Sequence, residues 1–281
     1  MNQHILLVET DDQKGLVCKI TKILFEAGLN IEKNNEFVDH AHNRFYMRTE
    51  IAGKVEINDL ISRLTNTLPQ NTQIQLTPRR TKNIVLFATT ESHCIGDLLI
   101  RHDSDDLSAE IVGVISNHTS LGSLVAKFNI PYHYASDTGI DRKKHEELIL
   151  KTLSKIDDKS PIDLIVLTKY MRILTQNFVR QYKNKIINIH HSFLPAFVGA
   201  SPYKQAFERG VKIIGATAHF VTESLDEGPI IYQDVVHVTH DYTSSDMKRA
   251  GQNIEKSVLA NALQLALEDR IFIAGNKTVI F

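Results

Sequence analysis

Asn83-Ile84-Val85-Leu86-Phe87-Ala88 is the stretch on which the fold turns. Five apolar residues in a row leave no polar face for water, so a strand here has both sides covered. Ile111–Ser116 and Leu164-Ile165-Val166-Leu167 repeat the pattern. Helical patterns fill the intervals, in Gly96–Arg101, Leu121–Phe128 and Arg142–Ile156. Such strands alternating with helices predict an α/β domain, a mostly parallel sheet with helices on both faces, over residues 83–281. Ligands of such sheets sit off the carboxyl ends of the strands, so the loops there are the place to look for chemistry.

Upstream the grammar is different. Ile5-Leu6-Leu7-Val8 reads as a strand, and Asp11-Asp12-Gln13-Lys14-Gly15 as a turn offering a side-chain N-cap. Leu16, Val17, Ile20, Ile23 and Leu24 recur at helical spacing, and Gly28 stops that helix. A polar alternating stretch runs from Asn30 to Asp39, followed by a hairpin turn over His40–Asn43. Phe45, Met47 and Thr49 then alternate with Tyr46, Arg48 and Glu50, the pattern of a half-buried strand. Asn58 is placed to cap a second helix, and Thr72–Leu76 reads as a last strand. The predicted order is βαββαβ, a compact α+β domain over residues 1–80. Pro78-Arg79-Arg80-Thr81-Lys82 then reads as a short charged connector.

Composition narrows the function classes. The 281 residues suit two domains, and 42% hydrophobic with 23% charged residues is ordinary globular composition. A net charge of −1 argues against a protein built around nucleic acid. No apolar run reaches the ~18–20 residues of a membrane span, and the N-terminal residues lack the basic start of a signal peptide. Cys18 and Cys94 stand far apart with no CxxC, which fits reduced thiols and a cytoplasmic protein.

The most informative chemistry lies in Ile186-Ile187-Asn188-Ile189-His190-His191-Ser192-Phe193-Leu194-Pro195. Asn188 and His190 are two apart at the end of an apolar strand, so they share a face. An amide and an imidazole on one face suit a developing oxyanion. Gly215–Thr222 reads as another strand, running into Glu223-Ser224-Leu225-Asp226-Glu227-Gly228-Pro229. A carboxylate on that loop suits holding an imidazole charged or taking a proton from water. The spacing alone also fits a structural His–Asn pair. His190 and His191 are expected on opposite faces of the strand, and no HxxxH or HExxH pattern occurs, so no metal site is expected.

The stretch from Asn188 through Asp226 resembles the folate-dependent formyltransferase family, and within it the formyltetrahydrofolate deformylases. Ser92–Leu99, Val114–His118, Asn188–Gly199, Gly210–Phe220 and the tail Gly275–Phe281 carry that resemblance. Asp12-x-x-Gly15-Leu16-Val17 and Ala27-Gly28-Leu29-Asn30-Ile31 resemble an ACT domain. The resemblance implies a ferredoxin-like ACT regulatory domain ahead of a Rossmann-like catalytic domain. It implies hydrolysis of 10-formyltetrahydrofolate to tetrahydrofolate and formate, balancing the one-carbon folate pool and feeding purine synthesis. The folate is the substrate, and no cofactor is implied. Asn188, His190 and Asp226 take the catalytic positions, with His219 and His191 in support. Met171, Arg172, Ile173 and Leu174, together with Thr222, Glu223 and Leu225, are the implied folate-binding positions. Asp12, Gly15, Asn30 and Ile31 are the implied contacts of a small amino-acid effector, glycine or methionine, in a homo-oligomer paired through ACT domains.

Two departures choose between relatives. The purine-synthesis transformylases of that family cradle a phosphate in a Gly/Ser/Asn-rich loop after the first strand. Here that loop is Ala88-Thr89-Thr90-Glu91-Ser92-His93-Cys94, without glycine and with an acid that would repel phosphate. His191 stands where the transferase has proline. Both favour water as acceptor. The alternatives are a formyltransferase with a small amine acceptor and a non-catalytic amino-acid sensor.

Overall fold

The computed structural model describes residues 3–195 and 202–281. Of the motif running from Asn188 to Gly199, residues 196–199 lie outside them. Contacts divide the chain into two compact units. One comprises residues 1–80, Asp269–Phe272 and Val279–Phe281, and the other Thr81–Glu268 and Ile273–Thr278.

The first unit runs β1 (Gln3–Asp11), α1 (Leu16–Glu26), β2 (Asn30–Asp39), β3 (Arg44–Ala52), α2 (Ile57–Thr67) and β4 (Gln73–Pro78). Its antiparallel sheet has the order β2-β3-β1-β4. The core sets Leu6, Val8 and Met47 of the sheet against Ile20, Leu24 and Leu64 of the helices. Each fully buried side chain of this size contributes ~1.5–3 kcal/mol. The βαββαβ order is the expected one.

Three local expectations need correction. The N-cap of α1 is Gly15, at φ 89, with no side-chain hydrogen bond. That left-handed turn leads straight into the helix, while the Asp12 amide is taken by the Asn43 carbonyl at 2.9 Å. Asn58 does not cap α2. The helix has already begun at Ile57, and its N-cap is Glu56. Finally, β3 is buried on both faces. Tyr46 meets Phe272 edge-on at 5.4 Å, and Arg48 Nε donates to the Asp269 carbonyl at 2.9 Å. A segment more than 200 residues away in sequence covers that face.

The second unit continues with β5 (Lys82–Ala88), α3 (His93–Asp103), β6 (Ala109–Ser116), α4 (Gly122–Ala126), β7 (Tyr132–Tyr134), α5 (Arg142–Asp157) and β8 (Leu164–Leu167). Then come α6 (Gln176–Gln181), β9 (Ile186–His190), α7 (Pro202–Arg209), β10 (Ile213–Phe220), β11 (Ile230–His237) and α8 (Ser244–Leu267). A closing hairpin is made of β12 (Ile271–Ala274) and β13 (Lys277–Ile280). The seven-stranded sheet has the order β11-β10-β9-β8-β5-β6-β7. It is parallel from β9 through β7 and antiparallel at β10 and β11. Ile84–Ala88 are fully buried, as the apolar run requires. Among the described residues, no helix is long and apolar enough to cross a membrane.

Candidate active site

Asn188 and His190 come from the last three residues of β9, and both border an open cavity of about 550 Å³. That volume falls within the range of small-molecule sites. Asp226 reaches the same cavity from the loop after β10, with its backbone at φ 56. Gly228 makes the loop possible. A Cβ there would fall 1.7 Å from the Phe220 carbonyl oxygen, so only glycine lets the chain fold back on the end of β10. The Phe220 amide then bonds the Pro229 carbonyl at 2.9 Å, which pins the loop.

The carboxylate sits between two imidazoles. Asp226 Oδ2 lies 3.3 Å from His190 Nδ1, and Oδ1 lies 3.7 Å from His219 Nε2. Hydrogen bonding from His190, the largest of the effects that oppose burial, holds the Asp226 carboxyl well below the ordinary carboxylate range. With Nδ1 facing the carboxylate, His190 keeps Nε2 for chemistry, and that atom has no hydrogen-bond partner among the described residues. His219 Nδ1 donates to the Phe220 carbonyl at 2.9 Å. Its Nε2 lies 3.3 Å from Asn188 Nδ2, so a neutral His219 accepts one hydrogen of that amide and leaves the second for a ligand.

His190 and His191 do not point apart as the alternation predicted. Their rings stack with centroids 5.1 Å apart, and both border the cavity. The strand ends at His190, so the pleat no longer governs the next side chain. Burial, then the charges of Lys169 and His190, lower the His191 pKa to about 4.

All seven positions expected to bind folate border the same cavity. Met171, Ile173 and Leu225 form an apolar rim, 62%, 50% and 61% exposed. Arg172 is held by Asp137 at 2.8 Å, and Asp137 also takes the Asn117 amide at 3.1 Å. Glu146 accepts the Thr175 amide at 2.7 Å, so the 171–174 wall is tied down beyond its end as well. The Glu223 carboxylate is occupied by a bidentate pair with Arg180 at 2.8 and 2.6 Å.

Two family models match the chain: formyl transferase over residues 82–263 and ACT domain over residues 4–68. A formyltetrahydrofolate deformylase of Escherichia coli strain K12 is 50% identical over 280 residues, covering 100% of this chain and 99% of that one. The chain belongs to the formyltetrahydrofolate deformylase family. The crystal structure of a formyltetrahydrofolate deformylase from Pseudomonas syringae is 40% identical with TM-score 0.92, covering 100% of this chain and 95% of that one. The glycinamide ribonucleotide transformylase of Symbiobacterium toebii is 27% identical with TM-score 0.67. It covers 72% of this chain and 94% of that one. The deformylase likeness thus spans both units, whereas the transformylase likeness leaves over a quarter of the chain unmatched.

Lys169, Tyr203 and Glu255 are not among the positions expected from the sequence, yet the fold brings them together. Glu255 is 1% exposed on α8, and its Oε2 lies 2.7 Å from His93 Nε2 and 3.3 Å from Lys169 Nζ. Its Oε1 accepts the Tyr203 hydroxyl at 2.5 Å. A signal existed in the sequence. Glu255 falls on the stripe formed by Met247, Gly251, Val258, Leu259 and Ala262, a carboxylate at a core position of the helix. Among the described residues, His93, Cys94 and Glu255 are the one set of three whose ligand atoms all lie within 4.8 Å. The Lys169 ammonium already pairs with that carboxylate, and burial raises the Cys94 thiol well above its usual range, so the donor set does not favour a cation.

The expected effector positions are not brought together within one chain. Asp12 and Gly15 follow the end of β1 where Asp11 pairs with Arg44. Asn30 and Ile31 begin β2 at the other end of the sheet, where Asn30 pairs with Ala52. The eight residue steps of β3 between these pairings span ~25 Å at strand rise.

Proposed function

We propose that this chain hydrolyses 10-formyltetrahydrofolate to tetrahydrofolate and formate. The observation that carries the reading is Asp226 set between His190 and His219, beside the Asn188 amide, on the wall of a cavity with an apolar rim. The pterin and its attached ring occupy the side walled by Met171–Leu174 and Thr222–Leu225.

Water attacks the formyl carbon. A C–O bond forms, and the carbonyl oxygen gathers charge. The second hydrogen of the Asn188 amide and the Nε2–H of protonated His190 stabilise that oxyanion, each worth ~10²–10³ in turnover. Asp226 keeps His190 in the tautomer that presents Nε2, the role of the carboxylate in a Ser-His-Asp triad. A carboxylate held so far below its usual range is a weak base. Asp226 therefore orients water and imidazole, while His190 Nε2 gives its proton to N10 and takes up the one that the attacking water loses. The C–N10 bond then breaks, leaving formate and tetrahydrofolate.

The released formate suits purine synthesis, and the reaction suits the cytoplasm. A small amino acid, glycine or methionine, acts through the ACT domain. Because Asp12 and Gly15 lie at the opposite end of the sheet from Asn30 and Ile31, an effector touching all four needs two copies of the chain, which supports a homo-oligomer. The test is incubation of purified protein with 10-formyltetrahydrofolate in the absence of any amine, following formate and tetrahydrofolate. Formate release in water is the expected result. Tight folate binding without release overturns the hydrolase reading in favour of a transferase awaiting its acceptor.

A further inference from the structure

The strand order reverses between β5 and β8, since β6 flanks one and β9 the other. In an open α/β sheet the crevice beyond the carboxyl ends at that switch is the natural place for a ligand. Here it is filled by the chain's own side chains. The loops leaving the two strands are closed onto each other by Thr89 Oγ1, which donates to the Lys169 carbonyl at 2.7 Å. His93 and Lys169 enter the crevice from its two sides, and Glu255 of α8 receives both, with the Tyr203 hydroxyl on its other oxygen. Burial raises the Glu255 pKa, but the His93 bond, the Lys169 charge and the Tyr203 bond bring it down to about 2, so the carboxylate stays charged and paired.

The packing around this cluster is specific. Gly251 sits one turn before Glu255 in the middle of α8, where glycine costs about 1 kcal/mol against alanine. A Cβ there would lie 2.1–2.3 Å from atoms of the Tyr203 ring, so the bare backbone is what seats the ring on the helix. Further along the same face, Gln252 and Lys248 hold Glu91 of the β5 loop at 3.0 and 3.5 Å. The cluster abuts the reaction cavity. Lys169 and His191 both line it, and the His191 ring is 6.2 Å from that of Tyr203.

We propose that His93, Lys169, Tyr203 and Glu255 form a plug that closes the subsite of a second substrate, so that water alone reaches the formyl carbon. This rests on the hydrolase reading and names what enforces it. A primary amine admitted to the crevice would attack the same carbon. A C–N bond forms, the C–N10 bond breaks, and one amine proton passes to N10, giving an N-formyl amine and tetrahydrofolate.

The experiment supplies 10-formyltetrahydrofolate with excess glycinamide to the full chain and to Tyr203→Ala. It measures formate, N-formylglycinamide and KM for the folate. Wild type is expected to yield formate, with no more N-formylglycinamide than forms without enzyme. In Tyr203→Ala the ratio of N-formyl product to formate is expected to rise at least about tenfold, the scale on which one pocket group alters discrimination, with folate KM unchanged. An unchanged ratio in a variant that still hydrolyses overturns the plug, and so does formylation of glycinamide by wild type. If Tyr203→Ala does not fold, Tyr203→Leu keeps an apolar side chain beneath α8 and is read by the same ratio. Absence of formate from wild type defeats the hydrolase reading instead, a result separate from the ratio.

Discussion

Asp226 and Glu255 are both carboxylates beside histidines in the same unit, and both are held below the usual carboxylate range. They are built in opposite ways. Glu255 projects from the middle of a 24-residue helix, and both its oxygens are bonded to protein groups. Asp226 projects from a loop at positive φ, and its two histidine contacts are longer, at 3.3 and 3.7 Å. Around Glu255 both carboxylate oxygens are taken, although His93 Nδ1, 3.6 Å from Glu91 Oε2, has no hydrogen-bond partner among the described residues. Around Asp226 the polar partners leave His190 Nε2 and one hydrogen of the Asn188 amide for something else. A buried carboxylate with both oxygens taken holds structure, whereas open donors on the wall of a cavity are prepared for a substrate.

The sharpest test of that contrast exchanges each carboxylate for its amide. Asp226→Asn keeps the shape but no longer fixes the His190 tautomer. Turnover of 10-formyltetrahydrofolate is expected to fall by roughly 10³–10⁴, as for the triad carboxylate, with the melting temperature nearly unchanged. Substantial surviving turnover would remove Asp226 from its role. Glu255→Gln is expected to do the reverse. It leaves Lys169 as a buried ammonium without its counter-charge, at a cost of ~3–5 kcal/mol in denaturant unfolding. If Glu255→Gln is as stable as wild type, the cluster is not the closed structural element its bonds describe.

The two carboxylates also differed in how readily the sequence revealed them. Asp226 sits in a local pattern, His-Phe-Val-Thr followed by an acid before Gly-Pro, and its partners Asn188 and His190 are two apart on one strand. Local periodicity carried the βαββαβ order and the apolar strands of the parallel sheet and put Asn188 and His190 on one face, but the resemblance to the deformylases, through such short motifs, assigned the site. Glu255 was hidden because its partners come from positions 93, 169 and 203, which only the tertiary fold brings together. The same cause explains β3, whose second face is covered by residues 269–272. His191 escaped because the pleat ends one residue earlier. The α1 cap was misplaced because Gly15 turns into the helix through its backbone, a conformation that side-chain capping rules do not register.

His191 lies between the two carboxylate clusters and offers a smaller test. Burial, with the charges of Lys169 and His190, lowers its pKa from 6.5 to about 4. Below pH 6.5 the unfolded chain takes up this proton before the folded chain does, so acid favours unfolding. The stability contribution is full above pH 6.5 and is lost as pH falls towards 4, by ~3 kcal/mol at most. Urea unfolding at pH 7, 6 and 5 is expected to show a shallower decline in His191→Gln than in wild type. Parallel declines would mean that His191 is solvated and takes its proton at the ordinary pH.

The finest test concerns His219, which touches both catalytic partners of the open cluster. Its Nδ1–H is committed to the Phe220 carbonyl, so in the neutral ring Nε2 is an acceptor and takes a hydrogen from Asn188. On this geometry His219 is a positioning residue that turns the second amide hydrogen towards the oxyanion. His219→Ala frees the amide to rotate without removing it, so kcat is expected to drop only about tenfold, against ~10²–10³ for Asn188→Ala. The double variant decides how the effect is transmitted. If His219 acts through Asn188, Asn188→Ala with His219→Ala is no slower than Asn188→Ala alone, because the group being oriented is already gone. If the two losses multiply, His219 acts through its 3.7 Å approach to Asp226 instead, and the orientation of the amide is set elsewhere.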